Sequence, residues 1–336
     1  MSSIFSRILD WLTPAPPLAP GTQAGLRRIG ELVNGALPMA SDFTRMLAKP
    51  VEHARAYCAG LVDALPPAIV IDRQGFASDP LIHALFASAD DIGRMVASSA
   101  AVREYLAETQ SWREDTFFAL MAARRVEKKV LGVALQDNLI ATGVPQSLLQ
   151  FSNQMLILPA VDAGAARDAL FAAAFDSLLR TFAEHIEQVQ ATYESLRTER
   201  ELERARLLSR PIHERAAIPP RRISELDERL HGLFASLQPA ALIPELADFL
   251  MRPETALHLD TVRLWVRRNG VIHAEGPPTG QNDAEADAEA INFMELHSRD
   301  RRRHLVLPVR VRCDEAREAL EQARAQRQIR ENILLI

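Results

Sequence analysis

The sequence is poor in several residues that particular chemistries require. Only two of its 336 residues are cysteine, Cys58 and Cys313. That is too few for a disulfide framework or a cysteine-based metal site. Each is expected as a small buried hydrophobe in a reducing cytoplasm. Lysine supplies only three of the 39 basic residues, Lys49, Lys128 and Lys129, and none of the three follows a glycine. A phosphate-binding loop, which needs a lysine directly after glycine to meet the phosphate, is therefore absent. The 14 glycines never stand two apart, which removes the Gly-x-Gly opening of a dinucleotide site. Where two glycines stand four apart the central residue is Gln23 or Pro278, so no serine nucleophile elbow exists. No two of the nine histidines are four apart, and the helical zincin motif goes with them.

What remains is an ordinary globular composition: 48% hydrophobic, 25% charged and a net charge of -5. It is too apolar for wholesale disorder and too acidic overall for a protein that coats nucleic acid. The length allows about two domains at roughly 150 residues each. Arginine in place of lysine fits a GC-rich bacterial genome.

Along the chain, residues 1–22 read as an amphipathic helix (Ile4, Phe5, Ile8, Leu9 and Leu12 on one face) followed by a Pro-rich tether. The apolar stretch is too short to span a bilayer. It is a candidate for packing on the body, for a partner groove, or for peripheral contact with the inner membrane. Residues 23–160 read as an α+β region. Helical spacing covers 23–34, 42–65 and 80–107, with a short strand at 68–71 and a turn at 72–75. Residues 115–130 fit either a helix or a strand, and 130–158 read as antiparallel strands. Turns are expected at Asp137-Asn138, Gly143 to Pro145 and Ser152-Asn153.

Residues 161–210 hold one long, partly heptad helix without Pro or Gly after Gly164. A linker at 211–222 leads to a second α+β region at 223–336. Its clearest feature is a hairpin with the three-residue loop Arg268-Asn269-Gly270, which pairs Val266 with Ile272. The fold class expected is therefore α+β, as two small helix-plus-antiparallel-sheet regions joined by the long helix.

Two groups of residues are candidate sites. Phe175, Leu178, Phe182, Ile186, Val189, Tyr193 and Leu196 recur at steps of three and four. They form an apolar seam that wants a partner, either in the same domain or on a second copy. The basic residues Arg124, Arg125, Lys128 and Lys129, and further on Arg301, Arg302 and Arg303, are candidate anion binders, because guanidinium groups grip phosphates bidentately. No aromatic residues are interleaved to stack bases, so nucleic acid is not the expected partner. The last cluster also comes after Asp283, Glu285, Asp287 and Glu289, which can pair with it. His273-Ala274-Glu275 matches half of a zinc deaminase signature without its cysteine pair, and no metal or other cofactor is expected. His297 and His304, with Arg299 and Cys313, form the densest reactive group in the second region, in which a Cys-His pair would be nucleophile and base.

The nine residues Pro67 to Gly75 resemble the first hairpin of PAS-type sensor domains. The chain after Gly75 does not continue in that family's strand order. The function expected is a non-catalytic bacterial scaffold, adaptor or regulator that associates through its long helix, with a protein partner or as a homodimer. A ligand-responsive module at 67–160 and a phosphate or nucleic-acid binder using the arginine clusters are the alternatives.

Overall fold

The computed structural model describes residues 18–108, 114–136, 139–209, 221–273, 288–298 and 303–334, with the backbone alone at 134–136, 139–141 and 330–334. The expected amphipathic helix, most of the tether and linker, the acidic insert, Arg301 and Arg302 lie outside the described residues. The architecture is α+β. Its elements are helices α1 (Pro20–Leu32), α2 (Phe43–Asp63), strand β1 (Ile69–Val70), α3 (Arg73–Ser78), α4 (Pro80–Leu85), α5 (Ala89–Ser98) and α6 (Ala100–Ala107). Next come β2 (Thr116–Gln136), β3 (Leu139–Ala160), α7 (Ala163–Leu208), α8 (Arg221–Ser236) and α9 (Pro239–Leu250). The chain closes with β4 (Leu257–Arg267), β5 (Ile272–His273), β6 (Ala288–Ser298), β7 (Arg303–Arg312) and α10 (Cys313–Leu334).

The chain divides into two compact units, and neither is a contiguous stretch. One comprises the residues up to Tyr57 together with Phe175–Pro253, the other Cys58–Ala174 with Glu254–Ile336. This differs from the expected division at a linker after residue 210, because strands from both expected regions pair in one sheet.

The first unit is helical. Helices α1 and α2 approach closely at Gly25, where a side chain would collide with Val51. Arg28 on α1 reaches Asp176 on α7 with two hydrogen bonds of 2.7 and 2.6 Å. Phe182 on α7 meets Phe249 on α9 at 5.4 Å between ring centres. Farther along, Leu196 packs with Leu226 and Leu230 of α8, flanked by Tyr193 and Leu233. The helix α7, 46 residues long, would extend about 69 Å at 1.5 Å per residue.

The second unit carries a 7-stranded sheet in the order β3-β2-β7-β6-β4-β5, with β1 parallel to β7 and the other pairings antiparallel. One face is covered by helices. Phe117, Ala119, Met121 and Ala123 of β2 and Leu305, Leu307, Val309 and Val311 of β7 pack there with Ile82, Ile92, Val96, Val102 and Ala316. The strict two-residue spacing places each set on one side of its strand.

Several local expectations meet specific outcomes. Residues 72–75 do not form a hairpin turn. Asp72 accepts a hydrogen bond from the Gly75 amide at 2.6 Å and starts α3 instead. The expected helix over 80–107 is three helices. Asp79 caps α4, and Ser88 with Asp91 forms a capping box on α5. In the β4–β5 hairpin Val266 does pair with Ile272, and Gly270 has φ 82°, the left-handed conformation that a three-residue loop requires.

Candidate functional site

β2 and β3 pair with each other from Phe118↔Ala160 out to Gln136↔Leu139. Their neighbours stop far earlier. β7 accompanies β2 only as far as Arg124↔His304. On the other side β3 is tied by the Leu148↔Val271 bridge and by the Leu149 amide donating to Gly270 O at 2.8 Å. Beyond those points, among the described residues, 129–136 and 139–147 pair only with each other. The result is a two-stranded ribbon with both edges open, about 26 Å long at roughly 3.3 Å per residue.

Three bulges shape the β2–β3 pair, and each places its extra residue on β3. The register shifts fall between Phe118/Leu120, Ala122/Arg124 and Gly132/Val133. Leu158 (φ 54°), Asn153 (φ 54°) and Gly143 (φ 76°) take the left-handed conformations that absorb them. The Gly143 to Pro145 and Ser152-Asn153 stretches, expected as turns, are thus bulges or paired strand within the β2–β3 pair. Residues 115–130, which fit helix or strand, are strand.

Side chains on the helix-covered face of β2 change character outward. The buried Phe117, Ala119, Met121 and Ala123 give way to Arg125, Glu127 and Lys129, and then to Leu131 and Val133, which are 77% and 59% exposed. Lys128 and Lys129 are exposed, as is Arg124 on the opposite face. Arg303 of β7 lies next to His304, the residue paired with Arg124. Arg303, the described member of the second basic cluster, therefore lies near Arg124 at the root of the ribbon. A charged collar lies between the domain core and an apolar outer segment.

Arg125 fastens that collar. It is 16% exposed, and its Nε lies 3.2 Å from Glu295 Oε1 on β6 and 3.6 Å from Glu127 Oε1. Glu295 is 1% exposed. The contact is close enough for an ion pair but lacks hydrogen-bond alignment, so Glu295 Oε1 has no hydrogen bond; the nearby His297 Nε2 has none either, among the described residues. The register explains this grouping. His258 on β4 stands opposite His297 on β6, and Asp260 opposite Glu295. Asp260 carries His258 Nε2 at 2.7 Å and His297 Nε2 at 3.3 Å, while His297 Nε2 lies 3.6 Å from Glu295 Oε2.

Sequence reasoning missed this square of two histidines and two carboxylates. Its signal is His-x-Asp at 258–260 and Glu-x-His at 295–297, which becomes visible only once the strands are in register. Among the described residues no group of three His, Cys, Asp or Glu side chains is arranged to hold a metal ion. His297 faces Asp260 and Glu295 rather than Cys313. Burial pushes the Cys313 thiol up, the opposite of what activates a nucleophile.

The seven seam residues on α7 lie within the helical unit. Phe175, Leu178, Phe182, Ile186 and Leu196 are buried, and Val189 and Tyr193 half-buried. Phe175 lies under Arg55 of α2, Phe182 meets Phe249 of α9, and Tyr193 and Leu196 pack with α8, so a second copy would have to displace these helices to reach those residues. Replacing Phe182 by a charged residue would break this packing before it reported on any association. Among the described residues no single helix is long and apolar enough to cross a membrane.

A cavity of about 560 Å³ lies in the sheet unit between α3, α4, β3 and the β4–β5 turn, with Phe76, His83, Phe86, Arg267, Arg268 and Glu289 in its wall. No family model matches the chain, and neither a curated protein nor a solved structure matches it.

Proposed function

We propose that this protein is a non-catalytic adaptor that docks on a protein partner through the β2–β3 ribbon. One observation carries this: Leu131 and Val133 are large, apolar and exposed on an extension whose edges no strand covers among the described residues. A two-stranded ribbon of this length has little stability of its own. Its outer face gains most by burial, roughly 25 cal/mol for each Å² of apolar surface removed from water. The ribbon takes the part expected of the long helix, whose seam residues Phe182, Tyr193 and Leu196 already pack against α9 and α8.

A photo-crosslinking residue at position 131 or 133 tests this in cells. Protein adducts are expected from both positions and none from the exposed Glu321 on α10. Absence of adducts from 131 and 133 would overturn the proposal.

The cavity favours a second reading, a ligand-responsive module. Arg267 Nε is buried beside it without a hydrogen-bond partner, which suits a small carboxylate or phosphate. Such a ligand would raise the melting temperature of the wild type but not of Arg267→Met.

A further inference from the structure

We infer that the cavity in the sheet unit binds a flat aromatic monocarboxylate, and that the bound molecule ties β3 to the β4–β5 turn at the base of the ribbon. This rests on the ligand-responsive reading of that cavity, and it adds the class of ligand and what binding does to the fold. The volume of about 560 Å³ falls within the roughly 300–1,000 Å³ of small-molecule sites.

The apolar wall sets the body of the ligand. Phe76, Phe86 and Phe151 stand in it with Leu149, Val266 and Ile291, and all of these but Phe76 belong to the buried core. The His83 ring lies against Phe76 at 4.9 Å between centres. Rings disposed in this way offer faces and edges to a planar aromatic body. The polar groups set its head. Arg267 Nε is buried and, among the described residues, has no hydrogen-bond acceptor. A buried donor left open costs free energy that an acceptor on a ligand recovers, and a carboxylate meets a guanidinium edge with two parallel hydrogen bonds. Asp79 is committed elsewhere, since its Oδ1 accepts from the Leu81 and Ile82 amides at 2.8 and 3.2 Å. Arg267 and Arg268 are balanced in the wall by Asp79 and Glu289, so one negative charge suits the site and the second charge of a phosphate does not.

Leu148 to Phe151 of β3 form one side of the cavity, and Val266 to Gly270 another. The two sides are joined by the Leu148↔Val271 bridge and the bond from the Leu149 amide to Gly270 O. Gly270 permits this approach, because a Cβ there would lie 3.2 Å from both Leu148 Cδ1 and Leu149 O. A molecule packed between the two sides adds its own contacts to this junction, and the ribbon begins immediately beyond it.

The test is titration calorimetry of the full-length chain with naphthoate, naphthyl phosphate and naphthylmethanol, all substituted at the same ring carbon. It is run at about pH 8, where the phosphate carries close to two charges. Naphthoate should bind with a Kd below about 1 mM, at least about tenfold tighter than the other two. It should also slow hydrogen exchange of the Leu149 amide about tenfold. Arg267→Met should lose the preference for the carboxylate over the alcohol. Ala87→Trp, at an exposed position of the wall, should block all three with circular dichroism unchanged. Leu131→Asp with Val133→Asp should bind as the wild type does. Phosphate or alcohol bound as tightly as naphthoate, or naphthoate bound with no change at Leu149, overturns the inference and leaves a ligand-responsive cavity standing. Binding that survives Ala87→Trp, or that is lost with the two ribbon changes, puts the probe elsewhere and overturns the inference as well. No binding of any of the three overturns both the inference and the reading it rests on.

Discussion

Arg125→Met is the sharpest probe of the ribbon's root, because the methionine keeps most of the stem and removes only the charge. At 3.2 Å from Glu295, an effective dielectric of about 20 gives an attraction of about 5 kcal/mol before solvation is counted. Removing one partner of a buried pair typically loses 3–5 kcal/mol, because the other charge stays buried. Glu127 takes a share of Arg125, and the guanidinium retains some water, so the lower end applies. The expected loss is about 3 kcal/mol, a large part of the 5–15 kcal/mol that holds a domain together.

The partners are unequal. Glu295 has no route to water, whereas a freed Arg125 can turn to Glu127 or to solvent. Glu295→Met should therefore destabilise by only about 1 kcal/mol, and the double variant should be more stable than Arg125→Met alone, since replacing both charges by apolar groups is often close to neutral. Urea unfolding followed by circular dichroism, with hydrogen exchange on peptides of β6 and β7, locates the loss in the sheet unit. A loss below about 1 kcal/mol for Arg125→Met, or strict additivity in the double variant, would refute the electrostatic reasoning.

Two further outcomes are expected. Gly25→Ala places a methyl group 2.5 Å from Val51 Cγ1, and forcing the crossing of α1 and α2 apart should outweigh alanine's better helix propensity by about 1 kcal/mol, measured as a lower urea midpoint; a more stable variant would be the contrary result. Asp314 is held down to about 2, chiefly by its hydrogen bonds from Arg312 at 2.6 and 3.1 Å and then by the Glu315 amide. Its folded value lies below the ordinary carboxylate value of 3.8. Its small contribution to stability is thus present above pH 3.8 and lost as pH falls to about 2. In an NMR titration Arg312→Gln should return the Asp314 carboxyl toward the ordinary range, and no movement would assign the effect elsewhere.

Elements specified by local chemistry were legible in the sequence. The long helix was expected at 165–209 and runs Ala163–Leu208, since nothing in that stretch breaks a helix. The β4–β5 register followed from pairing apolar residues across one glycine. The ribbon was only half legible for a physical reason. Each bulge on β3 shifts its alternation by one residue, so the two-residue period that marks a strand is interrupted at Gly143, Asn153 and Leu158. Bulges also use the same residues as turns, which is why Gly143 to Pro145 looked like one. The heptad seam showed that α7 wants a neighbour, but periodicity does not say whose. Glu295 and Arg125 lie on strands that do not pair with each other but each with β7, and only the sheet order brings the two side chains together.

The position of β7 also sets a timetable. Of the strands in this sheet it leaves the ribosome last, yet it lies in the middle, with β2 on one side, β6 on the other and β1 alongside. Until residues 303–312 emerge, the β2–β3 and β4–β6 pairings can exist only as separate pieces, each with an apolar edge waiting. The helical unit is bound in the same way, since its segments end at Pro253. Neither unit can be completed while the chain is short, and a nascent chain halted before β7 would hold unpaired strand edges open to any neighbour.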